Sequence, residues 1–417
     1  MRREGLRAPP YRSIALFESV RKRLCATSVY SARPRLVRFW ENSTAETPSS
    51  QRLRREKPFF DSLFSGLGLG GRRIQGPARS GTRLMAIATS DLLPPSSFPH
   101  LCATLRHLSS QMAKHGKLQT LAEYLLARSV LEALGVLPVS LAVGAGRILG
   151  FIAYASARNL RRTGKRNLEL AFPEKSEFER DQILRSCFAN LGCQLGVFSK
   201  FSIAPASSLL ELIDLEGLEH LETARAQGRG VILFTGHLGA WELTSLVLSL
   251  RNHPLSFLVR RIDNPRVEQL VDARRTRFGN QTLDKLSAAR SMVRILRSGE
   301  VLGLLLDLNT LPDEAIFVDF FGIPASTGFM VAKLALRTEA PIIPIFAPWE
   351  KKRKKFVVRV EAPVSIECTG NEDEDVRQLT AKLSLIVENQ IRSYPDQWLW
   401  IHKRWKTRPP GEPSVYQ

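Results

Sequence analysis

His237 and Glu242 lie five positions apart, and an imidazole near a carboxylate can carry out acid–base chemistry. The apolar run 231–234 before them predicts a buried strand, and the run 243–250 after them predicts a helix. Gly236 permits a sharp turn between the two. His237 is therefore predicted at the carboxyl end of a strand, where open α/β sheets bind their ligands.

The spacing limits how the two side chains could meet. Positions five apart on one helix point to separate faces, because helical neighbours lie three or four apart. His237 and Glu242 can therefore pair only if His237 stands in the turn before the helix. A carboxylate on one ring nitrogen would fix the tautomer and leave the other nitrogen to act as a general base. A bare match to this spacing more often marks a surface histidine beside a solvated glutamate.

Two further groups are predicted at strand ends beside His237. Arg260 and Asn264 lie in the loop after a strand predicted over 255–259, and a guanidinium there suits a phosphate or a developing oxyanion. Asp307 follows five apolar residues, which makes it either a site residue or a cap of a helix or turn. An ordinary surface loop is the simpler alternative for the first group.

A third segment, 318–327, contains Gly322 and ends at Thr327. It is predicted to turn and then to cap a helix over 327–338. A helix amino terminus can bind an anion, although an N-cap and packing turn is the simpler interpretation.

The composition of the 417 residues is that of a globular protein, with 44% hydrophobic residues and a net charge of +20. The five cysteines have no metal-type spacing, and their odd number argues against a disulfide framework. We expect reduced thiols, no metal and no cofactor.

Most of the excess charge, +12, lies in residues 1–111, which are rich in Arg, Ser and Pro. This profile is typical of a targeting extension, and it would also arise if translation began at Met85 or Met112. Poor order is expected before residue 112 in either case.

The stretch 121–157 is the most membrane-like part of the chain. Residues 133–146 carry no charge, Pro138 lies among them, and a further apolar run follows Arg147. The arginines and lysines of 158–166 come next and suit anionic headgroups at a cytoplasmic flank. We therefore predict a hydrophobic membrane anchor with a basic flank over 112–170, with two core helices of a soluble protein as the alternative.

From residue 171 onward, short apolar runs alternate with helical periods. The predicted strands are 255–259, 301–306, 341–347 and 356–360, and the predicted helices are 267–278, 288–297, 327–338 and 376–393. This alternation predicts an α/β domain over 171–413, with a mixed central sheet and helices on both faces.

Taken together, these segments resemble the lipid A biosynthesis acyltransferases, the late lauroyl- and myristoyl-type enzymes of the lysophospholipid-acyltransferase-like family. The matching segments are 237–242, 260–265, Asp307, 320–327, 340–344, the tail 396–409 and the post-anchor segment 166–174. The single histidine motif is weakly specific, whereas the ordered set with the tail is strongly so. Asp307 is followed by Leu308, where many relatives have a polar residue.

The resemblance implies a glycerol-3-phosphate acyltransferase-like α/β fold behind an N-terminal hydrophobic helical anchor, at the cytoplasmic face of the bacterial inner membrane. It also implies that a fatty acyl chain moves from an acyl carrier protein thioester to a hydroxyl of a lipid A precursor of the Kdo-lipid IVA type. His237 would be the general base and Glu242 its partner. The substrate-binding residues would be Arg260, Asn264, Asp307, Gly322 and Thr327.

Direct attack by the acceptor hydroxyl is predicted rather than a covalent acyl-enzyme, because no cysteine lies near the motif. One alternative is an acyl-CoA-dependent enzyme acting on a glycerophospholipid or glycolipid. Another is a non-enzymatic basic protein that binds nucleic acid. Against the latter, most of the excess charge lies in residues 1–111, and no zinc spacing or heptad zipper is present, so no nucleic-acid partner is expected.

Overall fold

The structure is a computed structural model that describes residues 116–211, 213–285 and 288–416. The predictions for residues 1–111, including the extension and the alternative starts at Met85 and Met112, lie outside the described residues.

Four helices come first along the described chain. They are α1 (Lys117–Val136), α2 (Val139–Ser156), α3 (Arg158–Ala171) and α4 (Glu177–Ser199). Pro138 separates α1 from α2, because proline lacks the N–H that would continue a helix. Ser176 begins α4 with a capping box, in which its hydroxyl accepts from the N–H of Glu179 and the Glu179 carboxylate accepts from the N–H of Ser176.

The α/β part follows. Its strands are β1 (Ile213–Glu216), β2 (Val231–Thr235), β3 (Leu255–Val259), β4 (Gln281–Asp284), β5 (Val301–Leu305), β6 (Ala315–Phe320), β7 (Ile323–Gly328), β8 (Ile342–Phe346), β9 (Trp349–Glu350) and β10 (Lys355–Val360). Its helices are α5 (Ala206–Leu210), α6 (Leu218–Ala226), α7 (Trp241–Leu250), α8 (Pro265–Arg275), α9 (Ala288–Arg297), α10 (Met330–Thr338) and α11 (Glu372–Ser393). Short 3₁₀ helices span Lys200–Ser202, Pro312–Glu314 and Pro395–Gln397.

The central sheet has the strand order β1-β10-β8-β2-β5-β3-β4, with β9 paired to β10. The five strands β8, β2, β5, β3 and β4 run parallel, whereas β10 is antiparallel to β8. The predicted mixed α/β sheet is therefore confirmed, and it is mostly parallel.

Alternate residues of β2 enter different hydrophobic clusters. Ile232 and Phe234 pack with residues of α9, α10 and α11. Val231 and Leu233 pack with residues of α1, α6, α7 and α8. Helices cover both faces of the sheet, which is why β2 is buried along its whole length.

Helix α2 packs on α4 through small residues. A Cβ atom at Gly146 would lie 2.1 Å from the carbonyl oxygen of Gly192, and one at Gly150 would lie 2.2 Å from that of Phe188. Large exposed side chains lie on the opposite face of α2, namely Leu141, Ile148, Leu149, Phe151 and Ile152. Among the residues that the structure describes, α2 is the one helix long and apolar enough to cross a membrane. The membrane anchor stays a prediction.

The helix predicted over 327–338 begins later than expected. Thr327 lies in β7, and α10 begins at Met330, so the prediction that Thr327 caps this helix is wrong. Phe321 and Gly322 have φ angles of 56° and 72° and connect β6 to β7 in a two-residue hairpin turn. Two positive φ angles are those of a type I′ turn, whose twist matches that of paired strands.

Candidate active site

Two neighbouring parallel strands bring His237 and Asp307 together. Thr235 at the end of β2 pairs with Leu305 at the end of β5, and His237 and Asp307 each follow two positions later. The Asp307 Oδ1 atom lies 2.8 Å from His237 Nδ1, and Oδ2 accepts the backbone N–H of His237 at 2.6 Å. The register of the sheet thus produces the pair.

Asp307 is buried, and both of its carboxylate oxygens have hydrogen-bond partners. The residue is 1% exposed, and Oδ2 also accepts a hydrogen bond from the indole N–H of Trp398 at 2.7 Å. Burial alone would raise the pKa of Asp307, but the charge of a protonated His237 and the hydrogen bonds from His237 and Trp398 lower it to about 2. The side chain is therefore ionised at neutral pH and can only accept hydrogen bonds.

This carboxylate defines the tautomer of His237. An ionised Asp307 accepts a hydrogen bond from Nδ1–H, which leaves Nε2 as the ring nitrogen that can take a proton. The imidazole is 14% exposed and lies edge-to-face on Trp241, with 5.0 Å between the ring centroids. A partly exposed imidazole whose Nδ1–H is held by a carboxylate is suited to act as a general base.

The predicted pairing of His237 with Glu242 is wrong. Glu242 Oε1 lies 2.5 Å from Arg275 Nη2, and Oε2 accepts from Arg275 Nε at 3.1 Å. Glu242 lies in the first turn of α7 and Arg275 in the last turn of α8, so the ion pair joins these two helices. Burial alone would lower the pKa of Arg275, but Glu242 outweighs it and the pKa is raised. Glu242 therefore supports the helix that follows the His237 turn.

Substitution of Glu242 is expected to reduce stability. Glu242→Gln removes the charge opposite Arg275, and both side chains are 15% exposed, so the free energy of unfolding should fall by about 3 kcal/mol. Denaturant unfolding measures this loss, and the double variant Glu242→Gln/Arg275→Gln should recover part of it. Glu339→Gln is the control, since its pair with Arg229 is exposed and should cost less than about 1 kcal/mol. Equal losses of unfolding free energy for the two variants would contradict a structural role for the pair between Glu242 and Arg275.

The C-terminal tail holds the turn that carries His237. The N–H of Leu399 donates to the carbonyl of His237 at 3.1 Å, and the N–H of Gly239 donates to the carbonyl of Gln397 at 3.0 Å. On the other side, the N–H of Ala240 donates to the carbonyl of Ala347 just after β8. The tail that carried part of the family resemblance is thus a structural element of the site.

Gly239 is needed for this turn, and Gly322 provides a matched comparison. Both have positive φ, but a Cβ atom at Gly239 would lie 2.1 Å from the carbonyl oxygen of Ala347, whereas Gly322 faces open space. Gly322→Ala should cost about 1–2 kcal/mol of unfolding free energy from its φ angle alone, and Gly239→Ala about 2 kcal/mol more from the clash. Thermal and denaturant unfolding measure both. Similar losses at the two positions would show that the turn has room to adjust.

Asn264 has a structural role in this arrangement. Its Oδ1 accepts the N–H groups of Arg266 and Val267 at the start of α8, and its Nδ2 donates to the carbonyl of Thr120 and the carboxylate of Glu123 in α1. It is therefore an N-cap that also ties α8 to α1.

Arg260 follows β3, the strand on the other side of β5, and its side chain is exposed. The carboxyl ends of β2, β5 and β3 lie at one edge of the sheet, because these strands are parallel. Arg260 is thus at the same edge as His237, and its role in binding substrate stays a prediction.

Thr327 belongs to a network around Arg404, which the sequence analysis did not single out. Arg404 is fully buried and donates to the carbonyl of Ser326 at 2.8 Å and to the hydroxyl of Thr327 at 2.5 Å. Burial lowers the pKa of Arg404 to about 10. Arg404 therefore fixes the tail to the β6–β7 hairpin, and Thr327 accepts one of its hydrogen bonds.

Cys187 contacts the tail, and its surroundings make it a poor nucleophile. Its Sγ lies 3.0 Å from the carbonyl of Trp398, and burial raises its pKa to about 12. Among the residues that the structure describes, no group of three or more His, Cys, Asp or Glu side chains is placed to hold a metal ion.

An imidazole oriented by a buried carboxylate at the carboxyl edge of a mostly parallel sheet is an arrangement typical of α/β enzymes. Comparison of the sequence with known families identifies the kind of enzyme. The family described as bacterial lipid A biosynthesis acyltransferase matches residues 111–407, and the chain belongs to this family. It is therefore an O-acyltransferase, which excludes the non-enzymatic alternative.

Individual relatives show how far the similarity extends. The chain is 30% identical to the lipid A biosynthesis lauroyltransferase of Escherichia coli K12 over 280 residues, which are 67% of this chain and 89% of that protein. It is 28% identical to the palmitoleoyltransferase of the same organism over 275 residues, 65% of this chain and 87% of that protein. A lipid A biosynthesis acyltransferase of Haemophilus influenzae is 25% identical over 264 residues, 63% of this chain and 81% of that protein.

Proposed function

We propose that this enzyme transfers a fatty acyl chain from an acyl carrier protein thioester to a hydroxyl of a lipid A precursor of the Kdo-lipid IVA type. The reaction takes place at the membrane surface, on the cytoplasmic face of the bacterial inner membrane. The observation that carries the chemistry is the pair formed by His237 Nδ1 and Asp307 Oδ1, 2.8 Å apart.

His237 acts as the general base. Its Nε2 takes the proton of the acceptor hydroxyl while the oxygen attacks the thioester carbonyl. The tetrahedral intermediate then expels the thiolate of the donor, which receives the proton back from the imidazolium. The products are the ester and the free thiol, so the enzyme returns to its starting state.

Asp307 has two effects on this step. It holds the proton on Nδ1, so that the ring presents Nε2 as a base, and its negative charge stabilises the imidazolium that forms. Direct transfer without an acyl-enzyme is supported by the raised pKa of Cys187, since the thiol is not ionised at neutral pH.

A purified-enzyme assay tests the proposed substrates. Kdo-lipid IVA or a glycerophospholipid is supplied as the acceptor. The donor is either an acyl carrier protein thioester or the same acyl group on coenzyme A, and mass spectrometry measures the mass of the lipid product. We expect the acceptor to gain one acyl chain with the carrier protein as donor. Transfer from coenzyme A alone, or to a glycerophospholipid instead, would assign the alternative function.

A further inference from the structure

A cleft with paired guanidinium groups lies where α2 ends and α3 begins. It is shallow and open to solvent, has a volume of about 630 Å³, and is lined by Tyr154, Arg161, Lys165, Glu177, Phe178, Asp181 and Arg185. None of these residues belongs to the His237 site.

The ring of Tyr154 positions the two guanidinium groups. The Arg161 guanidinium lies 5.2 Å from the ring centroid and that of Arg185 lies 5.3 Å from it. The hydroxyl of Tyr154 donates to Asp181 Oδ1 at 2.5 Å, and Arg185 Nε donates to Asp181 Oδ2 at 2.7 Å. The ring and the carboxylate thus hold both cations in place, which lowers the entropy lost when they bind an anion.

Both guanidinium groups have further N–H groups that can donate hydrogen bonds to a ligand. Arg161 uses one nitrogen, Nη1, on the carbonyls of Tyr154 and Ala155 at the end of α2. Arg185 uses Nε on Asp181, and its side chain is 59% exposed. Lys165 adds a third positive charge, with only a 3.4 Å contact to the exposed Glu177. A planar fork with unused N–H groups is well suited to phosphate oxygens.

The neighbouring surface is apolar. Phe151 lies one helical turn before Tyr154, and the exposed face of α2 continues through Ile148 and Ile152, which are 62% and 49% exposed. Phe178, which also lines the cleft, is 71% exposed. An apolar helix face that ends at a cluster of arginines and lysines is typical of a surface at the headgroup level of a bilayer.

We propose that this cleft binds the phosphate headgroup of an anionic bilayer phospholipid, while the exposed face of α2 enters the acyl region beside it. Arg161, Arg185 and Lys165 hold the phosphate, and this contact fixes how the protein sits on the membrane. The inference deepens the proposed function and rests on it only in placing the reaction at a membrane.

Vesicle binding tests the site. The purified full chain is floated with vesicles of phosphatidylcholine alone and of phosphatidylcholine mixed with phosphatidylglycerol. Because each basic residue near an anionic surface contributes about 1 kcal/mol, Arg161→Gln/Arg185→Gln should lower partitioning onto the mixed vesicles roughly 30-fold. Partitioning onto phosphatidylcholine alone should stay unchanged.

A matched control separates the cleft from general surface charge. Arg294→Gln/Arg297→Gln removes two exposed arginines from α9 and should change partitioning less than about twofold. Should the cleft variant lose thermal stability, Lys165→Gln replaces it, with roughly a fivefold loss expected. The proposal would be overturned if the cleft variants partitioned onto the mixed vesicles as well as the unmodified protein does. It would also be overturned if the α9 control lost as much partitioning as the cleft variants.

The same protein is assayed separately for acyl transfer on detergent-dispersed acceptor. Transfer without any effect of the cleft on vesicle binding would refute the lipid site alone. Cleft-dependent vesicle binding without transfer would refute the proposed reaction alone.

Discussion

Alanine in place of His237 is expected to lower the rate of acyl transfer by about 10²- to 10⁴-fold, because a positioned general base contributes that much. The side chain is 14% exposed, and its main polar partner is Asp307, so the fold should survive. Steady-state transfer assays measure the rate, and circular dichroism with thermal unfolding shows that the chain remains folded. The loss should appear in kcat, because the imidazole acts in the transition state.

His220→Ala is the matched control, since His220 lies in α6, away from the β2 and β5 ends. Its rate should match that of the unmodified enzyme. Near-normal transfer by His237→Ala would reject His237 as the general base, whatever the stability of the variant.

Asp307→Asn should lower the rate of acyl transfer by a similar factor, because of the hydrogen bonds around this side chain. Two N–H groups, those of Trp398 Nε1 and of the His237 backbone, point at Asp307 Oδ2. The amide oxygen of an asparagine would take that position, and its NH₂ group would face His237 Nδ1. The ring would then carry its proton on Nε2, which is the wrong tautomer for a base, so we expect a loss of about 10²- to 10⁴-fold in kcat.

Glu242→Gln distinguishes this account from the pairing that the sequence suggested. It breaks the ion pair with Arg275 but leaves His237 and Asp307 in place. At a temperature where both variants are folded, Glu242→Gln should therefore transfer faster than Asp307→Asn. The reverse order would restore Glu242 as the partner of the imidazole.

The spacing of apolar residues was sufficient to predict most of the strands and helices of the α/β part. The strand predicted over 255–259 is confirmed at its full length, and the helix over 288–297 matches α9. These segments have a clear apolar period and end at ordinary stop signals, such as Gly299.

The β6–β7 hairpin could not be predicted in the same way. Its turn residues are Phe321 and Gly322, and a phenylalanine with positive φ is an unusual choice for such a turn. Pro324 also lies in β7, where proline usually argues against a strand. Strand β7 is stabilised by its pairing with β6 and by hydrogen bonds from Arg404. The sequence of β7 itself does not indicate these contacts.

The partner of His237 was missed because it depends on strand register. The sequence places both His237 and Asp307 after buried strands, but only the pairing of Thr235 with Leu305 makes them neighbours. Glu242 is close along the chain, and proximity in sequence favoured it. The equal distance of the two residues from the ends of their strands was the signal available.

The position of the proton on the His237 ring provides the sharpest test of the proposed pair between His237 and Asp307. In the ¹⁵N-histidine-labelled protein at a pH where His237 is neutral, nitrogen shifts show which ring nitrogen carries the proton, and His237→Ala assigns the signal. We predict the proton on Nδ1 in the unmodified enzyme and in Glu242→Gln, and on Nε2 in Asp307→Asn. A proton on Nε2 in the unmodified enzyme, or a tautomer that changes with Glu242 and not with Asp307, would contradict the account.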